Sequence, residues 1–285
     1  MHDAALAGLR DAAAAGAAPR VAEQLLALFE QAAVQPDKLQ WVNRQIAGDL
    51  HGAIDPALTR ACAAVAAAMD AQHATYDRLG YHNRQHFCEV ALTAYGLCLL
   101  NRLGTGATQL VVLAALLHDA VHEGRPQPAF TQERASVESM RPLLGTAGLA
   151  AAQIDRLLAM VLATETAGGT AFMATACRQV PCAVPAAAPE LAALAGDAEL
   201  AGLARILCEA DVLPSIGLGS HYASRVQERL AVEWRRPLDE QDKLQFMDAV
   251  LQQGYIGDFF LPGVHAMRAA LALAHDAGPH AVTQG

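Results

Sequence analysis

The sequence has little that is aromatic, 5% of 285 residues, and little that is charged, 17%. None of its six cysteines (Cys62, Cys88, Cys98, Cys177, Cys182 and Cys208) forms a C-x-x-C pair, which removes the commonest thiol redox and zinc motifs. Most of the cysteines sit in apolar helical context and read as small hydrophobes, with Cys177 and Cys182 as two loop thiols. This usage fits a reducing, cytoplasmic compartment. No apolar run is long enough to cross a bilayer. Met1-His2-Asp3-Ala4-Ala5 carries no basic segment leading into an apolar one, so a secretory leader is not expected. There is no basic stripe either. With 20 basic against 29 acidic residues the net charge is -9, which argues against nucleic acid and anionic membranes as partners. No repeat of about 20–50 residues is visible.

What is abundant is Ala and Leu, the best helix formers, within a hydrophobic content of 53%. Valine, isoleucine and the aromatics that favour sheets are fewer. The expectation is an all-α helical bundle with accessory terminal helices, in one domain. Residues 1–74 would be accessory helices, 75–215 the core, and 216–285 C-terminal helices. Asp55-Pro56 is a good helix start, and that helix should run to about Leu79. Further helices are expected at about 84–103, 107–121, 131–144, 150–166, 190–213, 220–235, 239–253 and 264–277. Residues 167–189, with Gly168-Gly169, Pro181, Pro185 and Pro189, read as a loop that could cover a site.

The organising stretch is Leu116-Leu117-His118-Asp119-Ala120-Val121-His122-Glu123-Gly124, which closes an apolar helical run. His-Asp pairs are cheap: 11 histidines and 16 aspartates predict roughly 0.6 by chance, and there are three. His2-Asp3 lies at a terminus, and His275-Asp276 lies at the end of the last helix, where the dipole alone favours His. His118-Asp119 differs by its company. Upstream stands Tyr81-His82-Asn83-Arg84-Gln85-His86, with His82 and His86 four apart and so on one helical face. Downstream stands Glu209-Ala210-Asp211-Val212-Leu213. His86, His118, Asp119 and Asp211 are candidate ligands for a divalent cation, and two imidazoles with two carboxylates suit Mn, Fe, Co, Ni, Zn or Mg. The bland alternatives are a polar helix end for His118-Asp119, a buried histidine at 86, and a helix cap at Asp211. His122 is expected to hydrogen-bond behind the ligands. Glu123 and Glu133 are solvated charges or supporting carboxylates. Arg84 is a candidate to hold a phosphate, with Asn83 beside it.

These three segments resemble the HD superfamily of metal-dependent phosphohydrolases, over about residues 75–215. The likeness is to the small predicted HD phosphohydrolases and, more distantly, to cyclic-nucleotide phosphodiesterases. The latter also carry Gln-x-x-Phe, whereas Lys243 stands three residues before Phe246 here. The resemblance implies His86, His118, Asp119 and Asp211 as metal ligands and His82 as the group that protonates the leaving oxygen. It implies hydrolysis of a phosphoester, a nucleotide above all, by metal-activated water. The rival expectation is a catalytically degenerate HD module serving as a metal-binding sensor or scaffold. The partner expected is a small phosphorylated substrate, with no nucleic-acid polymer and no membrane; a homodimer is left open.

Overall fold

In the computed structural model, residues 5–166 and 168–277 are described. His2-Asp3 and His280 lie outside them. Among the described residues every regular element is a helix. The chain opens with α1 (Ala7–Ala14), α2 (Ala18–Ala33) and α3 (Lys38–Asp49), then α4 (Pro56–Ala71) and the single turn α5 (His73–Tyr76). Next come α6 (Arg84–Leu100), α7 (Thr105–Leu117), α8 (Thr131–Thr146), α9 (Ala151–Leu162) and α10 (Gly169–Cys177). A 3-10 turn at Pro189–Leu191 leads into α11 (Ala192–Gly196) and α12 (Ala198–Ile216). The chain closes with α13 (Ser220–Trp234), α14 (Glu240–Gln253) and α15 (Leu261–Ala277). Among the described residues no helix is long and apolar enough to cross a membrane.

Asp55 caps α4 as its sequence suggests, accepting from the amides of Ala57 and Leu58. Helix α6 is the axis of the bundle. It is apolar on all sides, with Phe87, Val90, Leu92 and Tyr95 all buried, and it packs against α1, α2, α3, α7 and α12. Nearly all the buried apolar residues, from Leu6 to Val264, form one continuous cluster.

Several boundaries depart from the sequence expectation, the first being α4, which stops at Ala71 and not near Leu79, with α5 as a separate turn after it. The stretch 167–189 contains a helix, α10, which buries Phe172, Met173, Ala174 and Ala176. Its glycine pair begins the helix instead of breaking it: the amides of Gly168 and Gly169 donate to the Glu165 carboxylate at 2.7 and 3.1 Å. Glycine is required at 169, because a Cβ there would fall 2.3 Å from the Leu162 carbonyl oxygen. Gly169→Ala is expected to cost about 1–3 kcal/mol of stability, read as a lower urea midpoint at unchanged slope. Helix α12 runs through Pro214 to Ile216, since a proline so near the end costs only one carbonyl its partner. Helix α7 ends at Leu117, so His118-Asp119 lies in the turns that follow and not on a continuing helix.

All six cysteines are free thiols. Cys177 belongs to α10, where its thiol donates to the Ala201 carbonyl at 3.2 Å, and is not the loop residue expected.

Candidate metal centre

The start of α6 places the first motif. Asn83 is its cap: the side-chain oxygen accepts from the Gln85 amide at 2.9 Å, while its Nδ2 donates to the carbonyls of Leu79 and Gly80. Asn83 therefore shapes the turn and takes no part in the cluster of donors. Because α6 begins at Arg84, His82 precedes the helix and His86 occupies its first turn. The two do not share a helical face as expected; the turn brings their ring centroids to 5.6 Å instead.

His118 is the cap residue after α7 and keeps helical geometry. Its Nδ1 donates to the Ala115 carbonyl at 2.8 Å, one of the carbonyls that a helix end leaves unpaired. That bond fixes the tautomer and turns Nε2 inward. His86 Nε2 faces it at 3.1 Å. Asp119 Oδ2 lies 3.5 Å from His86 Nε2 and 3.2 Å from His118 Nε2. Asp211 Oδ1, from the middle of α12, lies 3.3 and 3.5 Å from the same two nitrogens. The structure thus gathers His86, His118, Asp119 and Asp211 from two helix ends and one helix interior, with one donor atom from each within 4.8 Å of the others.

The donor set fits a divalent cation. Two buried imidazole nitrogens 3.1 Å apart repel unless a proton or a cation stands with them. Burial works against charge on all four groups, yet the carboxylates hold both histidines above their ordinary pKa, and the histidines hold both carboxylates below theirs. His86 Nδ1 is buried without a hydrogen-bond partner, so that ring is oriented by its Nε2 contacts and by Tyr81, 4.4 Å away between centroids.

His82 stands at the edge of this cluster, Nε2 3.8 Å from Asp119 Oδ2. Its Nδ1 is 2.5 Å from Glu233 Oε1 on α13. Glu233 Oε2 also accepts from the amides of Tyr81 and His82, at 2.8 and 3.0 Å. Burial would raise the Glu233 carboxyl, but the hydrogen bond and charge of His82 and those two amides bring it down to about 2. His122 stacks on His82, centroids 3.6 Å apart and rings 20° from parallel. Its Nδ1 accepts from the Gly124 amide at 3.0 Å, and burial pushes its pKa down to about 4, so the ring is neutral near pH 7.

Nothing in the sequence pointed to Glu233, about 150 residues from His82 in a segment that reads as a solvated helix end. A second omission holds it in place. Glu89 is fully buried on α6, one turn past His86, and takes both guanidinium nitrogens of Arg229 at 2.9 and 2.8 Å and the Tyr222 hydroxyl at 2.5 Å. Arg229 and Glu233 share one face of α13, four residues apart, so the ion pair that pins α13 also presents Glu233. A carboxylate in the otherwise apolar stretch Phe87–Leu92 of α6 was the available signal. Gly80 permits the approach, since a Cβ there would lie 2.7 Å from the Arg229 carbonyl oxygen.

Other expected site residues go elsewhere. Arg84 is buried and engaged by Asp77 at 2.6 Å, Asp70 at 2.8 Å and the Pro36 carbonyl at 3.0 Å, which ties α3, α4 and α6 together and withholds it from a phosphate. Glu123 is exposed and pairs with Arg125 and Gln127. Glu133, half-buried on α8, stays near the centre: burial, aided by the charges of Asp119 and Glu165, pushes its carboxyl up to about 7.

Glu209 faces away from the centre. Its Oε2 accepts from Arg205 at 3.1 Å, its Oε1 is buried without a partner, and burial outweighs Arg205 to push the carboxyl up to about 7. A folded pKa above the unfolded one makes the folded state hold this proton more tightly. The contribution is complete below the unfolded value of about 4.3 and is lost as pH rises to about 7. Glu209→Gln is expected to flatten the stability profile between those limits, measured by urea unfolding at pH 5 and pH 8.

No protein-family model and no curated protein matches the sequence. Solved structures do match the fold. The phosphodiesterase domain of the RhoPDE fusion protein from the choanoflagellate Salpingoeca rosetta superposes with a TM-score of 0.50 at 17% identity, covering 90% of this chain and 91% of that one. A second structure, the phosphodiesterase domain of Salpingoeca rosetta rhodopsin phosphodiesterase, gives 0.51 at 17% identity, covering 90% and 88%. The chain thus has an all-helical fold similar to that of these phosphodiesterase domains.

Proposed function

We propose that the protein is a metal-dependent phosphohydrolase of HD type that cleaves a phosphoester, with a nucleotide as the substrate class. The observation that carries this is the position of His82: beside a four-donor cluster, with one ring nitrogen facing it and the other tied to a carboxylate. That the two structural neighbours are phosphodiesterase domains supports the same reading. The chemistry a divalent ion supplies at His86, His118, Asp119 and Asp211 is neutralisation of phosphoryl charge and acidification of water. The other roles belong to the chain. His82 Nε2 donates a proton to the leaving oxygen, Glu233 holds the Nδ1 proton and so sets the tautomer, and neutral His122 packs flat on the ring and limits its rotation.

The test is metal analysis of the purified protein together with hydrolysis of p-nitrophenyl esters and a nucleotide panel, with and without chelator. Metal-dependent turnover is expected. Bound metal with no turnover on any ester assigns the site to sensing or scaffolding instead.

A further inference from the structure

Two cavities reach the centre, and they differ. One, of about 70 Å³, touches Asp211 and is lined by threonines, Phe246 and Gln253, with no cation. The other, of about 330 Å³, is large enough to take most of a small ligand. Its lining includes His82, Asp119 and His122 from the centre, together with Tyr76, Arg78 and Ser139. Among the described residues that line it, Arg78 is the only lysine or arginine. It is exposed, and among the described residues its guanidinium makes one long hydrogen bond, 3.4 Å to the His122 carbonyl, and no ion pair. Arg84, six residues on, is closed off by Asp70 and Asp77. Of these two arginines, the one with open donors is the one beside the ring stacked on His82.

We propose that Arg78 selects a phosphoester whose leaving group carries a second anion, as in a nucleoside bisphosphate. This rests on the hydrolase reading above. The proton donor and the leaving oxygen must meet, so the leaving group lies on the His82 side of the centre, in the larger cavity. Water oxygen forms a bond to phosphorus as the bond from phosphorus to the leaving oxygen breaks. The His82 Nε2 proton goes to that oxygen, and the proton lost by water passes to solvent. The products are inorganic phosphate and an alcohol still bearing its other phosphate. A planar guanidinium with several open N–H donors suits that second phosphate.

The experiment compares kcat/KM for adenosine 3′,5′-bisphosphate and AMP, both monoesters, with p-nitrophenyl phosphate as a general probe, on the Mn-loaded full chain. The wild type is expected to favour the bisphosphate over AMP by tenfold or more. Arg78→Gln should bring that ratio near one, mainly through KM, and Arg78→Lys should keep part of it. Arg125→Gln, a neighbouring exposed arginine paired with Glu123, should leave the ratio as in the wild type. A wild-type ratio near one, or a ratio unmoved by Arg78→Gln, overturns the assignment of Arg78 while leaving the hydrolase intact. No turnover of any of the three overturns both.

Discussion

Asp119→Ala is expected to release the metal and reduce hydrolysis on the order of a thousandfold. Of the four donors, Asp119 alone touches three histidines: its Oδ2 lies within 3.8 Å of His82, His86 and His118. Removing it takes away one of the four donors and the charge that both His86 and His118 face. A metal is worth several kcal/mol of transition-state stabilisation, and each 1.36 kcal/mol is a decade, so about a thousandfold follows. Metal content by mass spectrometry and kcat/KM should fall together; a variant that keeps stoichiometric metal and wild-type turnover refutes the site. The sign of the pH effect is fixed as well. Asp119 and Asp211 hold His86 and His118 above their ordinary pKa in the metal-free protein, and both rings must be neutral to ligate. Loading therefore expels protons, and apparent metal affinity should drop as the solution is acidified. Calorimetric titration in buffers of different ionisation enthalpy measures that proton release.

His82→Gln should keep the metal and lose about 10²–10⁴ in kcat, the usual value of a positioned acid. The loss should depend on the leaving group. A nucleoside alkoxide needs a proton as it departs, whereas p-nitrophenolate hardly does, so the nucleotide should suffer far more than the p-nitrophenyl ester. Glu233→Gln should show the same selectivity with a smaller loss. It makes no contact with the reacting atoms in this scheme and acts by holding His82 Nδ1 and the Tyr81 and His82 amides. A purely structural role would instead lower both substrates equally. The contrast between the two esters, in both variants, separates the acid and its positioning residue from general damage to the site.

The pair of buried Glu89 and half-buried Arg229 stands behind both results. It ties α13 to α6 beside the motif, so the geometry at His82 depends on an ion pair one turn away on each helix. The sequence treats these as unrelated segments, since 140 residues separate the partners.

The sequence by itself determined the helical class, because Ala and Leu dominate and periodic apolar faces recur along the chain. It also offered the four side chains that meet as candidates, since three short motifs carry donor chemistry in an otherwise apolar context and their family resemblance implies those four. Boundaries were legible where a cap is written locally, as at Asp55. They failed where tertiary contacts override a local signal: Gly168-Gly169 looks like a break until Glu165 is seen to accept from both amides. The tertiary structure alone decided the rest. Arg84 and Arg78 are equivalent as sequence, both arginines near the Tyr-His-Asn turn, but packing gives one to Asp70 and Asp77 and leaves the other at the cavity. Glu233 is ordinary as sequence and becomes the partner of His82 only because α13 folds back onto α6. Chemistry that resides in one residue type at one spacing survives in a linear code. Chemistry that depends on which charge a fold neutralises does not, because the neutralising partner is chosen by packing across the chain.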